Sequence, residues 1–274
     1  MKSAWLSSKH TLLLILFTSA LLSSTYSTGQ TNNRPDLQKF YDQYQVEGSF
    51  ILYDQKNDKY TIYNESQRNT PFTPASTFKI CNSLISLEEG VIENENVVLE
   101  WDKKPRQNRE WNADTDMKNA FKNSTVWFYQ ELAKRVGEKR MQYWLQKAAY
   151  GNADISGGID GFWLWGGLRI SPLQQIGFLK KLNDNDLPFS SRSMDIVKRI
   201  MIVQEHSGST VRSKTGSGKQ NEQYVGWYVG YITTADNVYY FSNCVQSKDK
   251  VPNFGPARTE IAYNILNELG VLKK

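Results

Sequence analysis

Residues Thr73–Lys79, "TPASTFK", decide how the rest of the chain reads. Thr73 suits a helix N-cap and Pro74 a first helical position. Ile80, Leu84, Ile85 and Leu87 then continue an apolar helical pattern that stops at Gly90. On such a helix Ser76 and Lys79 share one face. A serine there can act as a nucleophile if a neighbour takes its proton. An ordinary lysine, with a pKa near 10.4, is neutral in roughly one molecule in a few thousand at pH 7. The motif therefore makes sense as chemistry only if Lys79 is strongly perturbed, and burial can lower a lysine pKa by about 3–5 units. The start of a helix also offers free N–H groups and a positive dipole end, which suit an oxyanion.

S-x-x-K is a short pattern, and the chain holds a second copy, Ser247–Lys250, in what reads as a polar loop. Context separates the two, since only Ser76 follows a capped helix start. Lys214-Thr215-Gly216 closes a strand-like run after "STVRS". Ser124-Thr125-Val126 opens a helix-like run, whereas the other Ser-Thr-Val, Ser209–Val211, belongs to the strand of Lys214. Each triplet alone is ordinary capping or turn chemistry. All three in this order form the pattern of penicillin-recognising serine enzymes.

The start of the chain reads as a leader. Lys2 and Lys9 flank an uncharged start, an apolar core runs from Leu12 to Leu22, and small polar residues follow. This predicts a secretory signal peptide over about residues 1–27, cleaved between Ser23 and Gln30. The apolar run is too short to span a membrane, and no cysteine near the cleavage region offers a lipid anchor. The expected product is exported and periplasmic, without a stable membrane anchor. Residues 28–274 suit a single catalytic domain.

The net charge is +5, falling to +3 once Lys2 and Lys9 are removed, and it is spread without a Lys/Arg run. Nucleic acid is therefore not an expected partner. The mature chain keeps a single histidine, His206, in "QEHSG", read as a helix end and turn. A Ser-His-Asp triad would have to use it. With two scattered cysteines, Cys81 and Cys244, it cannot supply an ordinary zinc ligand set. An exported protein could bridge those cysteines, but the place of Cys81 inside the first helix suits a buried free thiol. No Gly-rich phosphate loop is present.

Strand-like runs at Val46–Asp54 and Lys59–Asn64, joined by "QKND", read as a hairpin. Helical patterns follow at Val126–Val136, Glu138–Ala148, Pro172–Leu182 and Ser193–Val203. Strands return at Thr210–Lys214, at Tyr224 and at Asn237, before a last helix at about Pro256–Leu269. This predicts an α/β fold of the α+β kind: an antiparallel sheet from both termini, flanked by helices, with an inserted all-helical lobe over about residues 65–205. The cleft between lobe and sheet is the expected site.

From Gln45 to Leu269 the chain resembles the class D (oxacillinase-type) serine β-lactamases. The resemblance is carried by "STFK" at Ser76, "STV" at Ser124, "YGN" at Tyr150–Asn152, "FWLWGGLRIS" from Phe162, "KTG" at Lys214 and "GPAR" ending at Arg258. Trp165 departs from the pattern, as a smaller or acidic residue is common there. The class A pattern fits less well, because Ser124 is followed by Thr-Val. The resemblance implies the penicillin-recognising fold and hydrolysis of β-lactams with resistance as its consequence. It implies Ser76 as nucleophile and Lys79 as general base, carboxylated by CO2 or bicarbonate to N6-carboxylysine, with no metal or organic cofactor. Trp163 would orient that group, and Phe78, Val126, Trp163 and Leu164 would surround Lys79. Ser124 and Lys214 would pass a proton to the lactam nitrogen. The N–H groups of Ser76 and Ser217 would form the oxyanion hole. Thr215, Gly216 and Arg258 would hold substrate, and Val126 and Leu164 would control water. The expected partners are small-molecule β-lactams, for a monomer or homodimer.

Two other classes stay in view. A β-lactam sensor stays acylated, usually ends a long membrane protein, and carries a polar residue where this chain has Val126. A D,D-peptidase would carry S-x-N and lack a Trp163-like partner.

Overall fold

The structure is a computed structural model that describes residues 29–206, 208–249 and 251–272. The expected leader and its cleavage site up to residue 28, and Lys250 of the second S-x-x-K, lie outside the described residues. Ser247 itself closes a strand, not a loop.

Strands and helices follow in the order β1 (Gln30–Asn33), α1 (Gln38–Asp42), β2 (Glu47–Asp54), β3 (Lys59–Tyr63) and α2 (Lys79–Glu88). A small pair, β4 (Val98–Leu99) and β5 (Thr115–Asp116), precedes α3 (Met117–Lys122), α4 (Val126–Val136), α5 (Glu138–Lys147), α6 (Pro172–Asn183) and α7 (Ser191–Ile200). The chain ends with β6 (Ile202–His206), β7 (Ser209–Gln220), β8 (Gln223–Thr234), β9 (Val238–Ser247) and α8 (Phe254–Glu268). Among the described residues the main sheet has seven strands in the order β1-β3-β2-β9-β8-β7-β6, so strands from both ends of the chain meet at β2–β9.

The interior strand β8 is buried on both faces, as its almost unbroken apolar run "YVGWYVGYI" requires. Its residues divide with period two. Trp227, Val229 and Tyr231 join the core under α2, α4 and α6. Tyr228 and Ile232 join the core under α1 and α8. The sheet thus lies between two helical layers. The α6 start carries a full capping box, with Ser171 and Gln174 exchanging bonds and Pro172 at the first helical position.

Five local expectations need correction. The lobe expected over about residues 65–205 is not all-helical, since it holds the β4–β5 pair and most of β6. Thr73 does not cap the first helix: its Oγ1 donates to the carbonyl of Trp163 (3.2 Å), and a 3-10 turn, Ala75–Phe78, precedes α2. Ala75 takes a left-handed φ of 48° at that entry. "QEH" lies on edge strand β6, not at a helix end, because α7 stops at Ile200. Lys214-Thr215-Gly216 lies mid-strand, as β7 runs on to Gln220. The sheet is not wholly antiparallel, since β1 pairs with β3 in parallel. Cys81 and Cys244 are free and buried, as expected. No described helix is long and apolar enough to cross a membrane.

"YGN" clamps one segment to another. Asn152 accepts from Arg169 N–H (2.9 Å) and donates to the carbonyl of Gly167 (2.9 Å), gripping the stretch that carries Trp163. Gly151, at φ 54°, lies so close that a Cβ would stand 2.0 Å from the Arg169 carbonyl oxygen. Gly151→Ala is expected to lower stability by about 1–3 kcal/mol through backbone strain alone, measured as a shifted denaturant midpoint at unchanged m-value.

Candidate active site

Ser76 lies on the 3-10 turn and Lys79 on the first turn of α2. Lys79 is fully buried, and its Nζ donates to Ser76 Oγ at 3.0 Å. Burial pulls the Lys79 amine down to about 7, so about half of it is neutral at pH 7. The perturbation that the motif demands is therefore present, and its cause is desolvation.

The turn is held from outside the helix. Ala75 N–H donates to the Trp163 carbonyl (3.0 Å), and Thr77 Oγ1 accepts from Gln175 (2.9 Å). Strand β7 passes directly beside it: a Cβ on Gly216 would stand 2.9 Å from the Pro74 carbonyl oxygen. Only a glycine permits this approach. Ser217, exposed, follows on the same strand.

Ser124 precedes α4 with a left-handed φ of 53°. Trp111 holds this corner through its indole N–H, which donates to the Asn123 carbonyl (3.0 Å). The strained corner aims Ser124 Oγ at Lys214, whose Nζ donates to it at 2.6 Å. Lys214 Nζ also reaches the Thr215 carbonyl (3.0 Å). Burial first, and then the charges of Lys79 and Arg258, push the Lys214 amine well below its ordinary value. Arg258, near the start of α8, donates to the Gly216 carbonyl (2.7 Å) and not to Thr215. Its Nε is buried and has no partner among the described residues.

Thus Ser76 with Lys79, Ser124 with Lys214 and Thr215, and Gly216 with Arg258 are brought together in one site. Trp163 is buried, with its ring 5.3 Å from that of Phe78. Its Nε1 has no hydrogen-bond partner among the described residues. An orphaned buried donor costs about 1–3 kcal/mol, so it marks a position where an acceptor belongs. Val126 and Leu164 are half-buried. Trp165 is 66% exposed and folds over Gly161.

Sequence reasoning missed Tyr129. Its ring faces Lys79 Nζ at 5.2 Å, and its hydroxyl shares a 3.0 Å bond with Ser83. The signal was available: Tyr129 stands three residues after Val126 on one helix, so both face the same site. The site holds three buried or half-buried basic side chains, Lys79, Lys214 and Arg258, and none of its named residues is acidic. It suits an anionic ligand.

The penicillin binding protein transpeptidase domain family matches residues 48–267. The chain is 41% identical over 227 residues to the probable beta-lactamase YbxI of Bacillus subtilis, covering 83% of this chain and 82% of that one. It is 34% identical to the regulatory protein BlaR1 of Bacillus licheniformis across 98% of this chain, spanning about half (47%) of that longer relative. The crystal structure of a class D β-lactamase, YbXI from Nostoc, superposes with a TM-score of 0.83 at 41% identity, covering 87% of this chain and all (100%) of that one. Fold, motif geometry and likeness agree: the chain belongs to the class D serine β-lactamases.

Proposed function

We propose that this protein hydrolyses the β-lactam ring of penicillin-type antibiotics through an acyl-enzyme on Ser76, and that Lys79 serves as general base in carboxylated form. The observation that carries this reading is the buried Lys79 amine, brought to about 7 and placed 3.0 Å from Ser76 Oγ. The surroundings fit the modification. The amine is neutral often enough to take up CO2, and Trp163 Nε1 is a buried donor in need of an acceptor. Lys214 and Arg258 are basic neighbours with no acidic residue among the named site residues, which suits an anion on Lys79. On Lys79 the added group supplies an anionic proton acceptor.

The chain's own residues supply the rest. Ser76 Oγ gives up its proton toward the Lys79 position and attacks the lactam carbonyl carbon. Backbone N–H groups of Ser76 and Ser217 stabilise the oxyanion. The ring C–N bond breaks, and Ser124, held by Lys214, hands a proton to the nitrogen. Thr215 and Arg258 hold the substrate carboxylate, a task that suits the guanidinium fork. Val126 and Leu164 narrow the approach of the water that releases the acyl group. β-Lactam resistance is the consequence of this reading, and the leader-like start of the sequence supports secretion to the periplasm.

Hydrolysis rates across a pH series, with and without millimolar bicarbonate, test it. In degassed acidic buffer progress curves should slow during turnover, because protonated Lys79 cannot hold CO2, and bicarbonate should restore a linear rate by mass action. A 13C carbamate signal should appear on adding labelled bicarbonate. Full activity in CO2-free acidic buffer with no such signal contradicts the carboxylated base.

Trp163→Phe keeps an aromatic ring, smaller than the indole, and removes the donor. Losing one bond to an anion costs about 1.5–3 kcal/mol. The variant should fold normally, deacylate roughly tenfold or more slower, and need more bicarbonate. Parental turnover without added bicarbonate would make Trp163 a core residue only.

A second reading, a β-lactam sensor that stays acylated, is favoured by the BlaR1 likeness across nearly the whole chain. The apolar Val126 opposes it.

A further inference from the structure

We propose that a cavity beside Lys214 is the subsite for an anionic aryl substituent carried on the substrate's fused ring, next to its carboxylate. The proposal rests on the reading of the site as a β-lactam hydrolase site and names the substrate class that it favours. The cavity, of about 390 Å³, lies between α3, the end of α7, β6, β7 and α8. Lys214 and Thr215 line it, so it begins where the carboxylate anchor ends. The sheet leaves this opening by construction. Ile202 of β6 pairs with Arg212, Ser213 N–H donates to the Met201 carbonyl (2.9 Å), and among the described residues no strand flanks β7 on that side from Lys214 onward.

Phe121, Ile202, Tyr228 and Tyr263 give the cavity apolar and aromatic walls. A hydrogen-bond chain fixes its floor: Ser213 Oγ donates to Tyr228 OH (3.1 Å), which donates to Tyr263 OH (3.0 Å). Its charges have one sign. Lys118, Lys122, Arg199 and Lys214 line it, with no carboxylate among the lining residues. Arg199 is paired with Glu95 (2.8 Å), whereas Lys118 and Lys122 have no ion pair among the described residues. Those two lysines stand four residues apart on α3, which is unfavourable for a helix unless an anion sits between them. An apolar wall with a cationic lip suits an aromatic ring ending in an acidic group. In a cephalosporin-type bicycle the carbon next to the carboxylate-bearing carbon carries such a substituent. The cavity shares Thr215 with the proposed carboxylate anchor, which puts a substituent on that neighbouring carbon within reach of its mouth.

Three cephalosporins sharing one acylamino side chain test this, with methyl, phenylthiomethyl or sulfophenylthiomethyl at that carbon. Each competes against hydrolysis of a reporter penicillin. At low ionic strength the sulfonated compound should show an apparent Ki about fivefold below that of its uncharged aryl congener, as expected for two exposed charge pairs. About 0.5 M salt should erase the difference. The double variant Lys118→Ala/Lys122→Ala should lose the preference while kcat/KM for the penicillin stays unchanged. Ile202→Trp, which fills the wall, should weaken both aryl compounds and spare the methyl one. Equal inhibition by the two aryl compounds in the parent, or a preference that survives in the double variant, overturns the subsite. A parent that neither hydrolyses a penicillin nor is acylated by one removes the underlying reading instead, and the subsite with it.

Discussion

Ser76→Ala is expected to abolish covalent labelling by a penicillin and to reduce hydrolysis to about 10⁻⁴ of the parent or less, as loss of a nucleophile does elsewhere. The expectation comes from one geometric fact, the 3.0 Å contact of Ser76 Oγ with a desolvated amine. The control is Ser247→Ala, which should label and turn over as the parent does. Ser247 ends β9, away from any capped helix start, although its tetrapeptide matches the same pattern. Intact-mass spectrometry after brief exposure reads both variants. An adduct on the Ser76→Ala protein would falsify the nucleophile assignment.

Lys79→Ala should impair both halves of the reaction, since one group is proposed as base in each. A general base contributes about 10²–10⁴-fold. Acylation should slow, and the acyl-enzyme that forms should persist, with no response to bicarbonate. Rescue by bicarbonate in this variant would contradict the role of the Lys79 amine. The same residue carries a stability signature. Its folded-state value of about 7 lies below the ordinary 10.5, so between these values the folded state binds fewer protons than the unfolded state. Stability therefore rises with pH through that window, and the cost of burying the amine is greatest below about 7. Lys79→Met, which keeps the stem and drops the charge, should be more stable than the parent at pH 6, by an amount on the order of a few kcal/mol. Its advantage should shrink toward pH 10. A pH-independent gap between the two proteins would show that Lys79 is not desolvated in solution.

Much of this site is legible in the sequence because its parts sit on strongly patterned elements. The apolar run of β8 marks an interior strand, and the motifs Ser76–Lys79, Ser124–Val126 and Lys214–Gly216 adjoin patterned runs. The parts that escaped have physical reasons. β1, "QTNN", has no apolar alternation, and only its parallel pairing with β3 makes it a strand. β6 is a polar edge whose mostly exposed residues look like a fraying helix end. Thr73 carries a capping residue type, but its hydroxyl is taken by the Trp163 carbonyl, so tertiary contact overrides local preference. The left-handed φ values at Ala75 and Ser124 leave no trace in residue type, since neither is glycine or asparagine. They are held by the bond from Ala75 N–H to the distant Trp163 carbonyl and by the bond from the Trp111 indole to the Asn123 carbonyl. The orphaned Trp163 Nε1 could be located only in three dimensions.

The central claim is that Ser76 is acylated and then released. Time-resolved intact-mass spectrometry of the parent, mixed with a penicillin in bicarbonate buffer, tests it most directly. The account predicts an adduct of the penicillin's mass that appears, decays to the unmodified protein within the assay, and leaves the hydrolysed, ring-opened antibiotic in molar excess over protein. A stoichiometric adduct that persists, with no ring-opened product beyond one equivalent, would contradict it and assign the chain to a receptor that stays acylated.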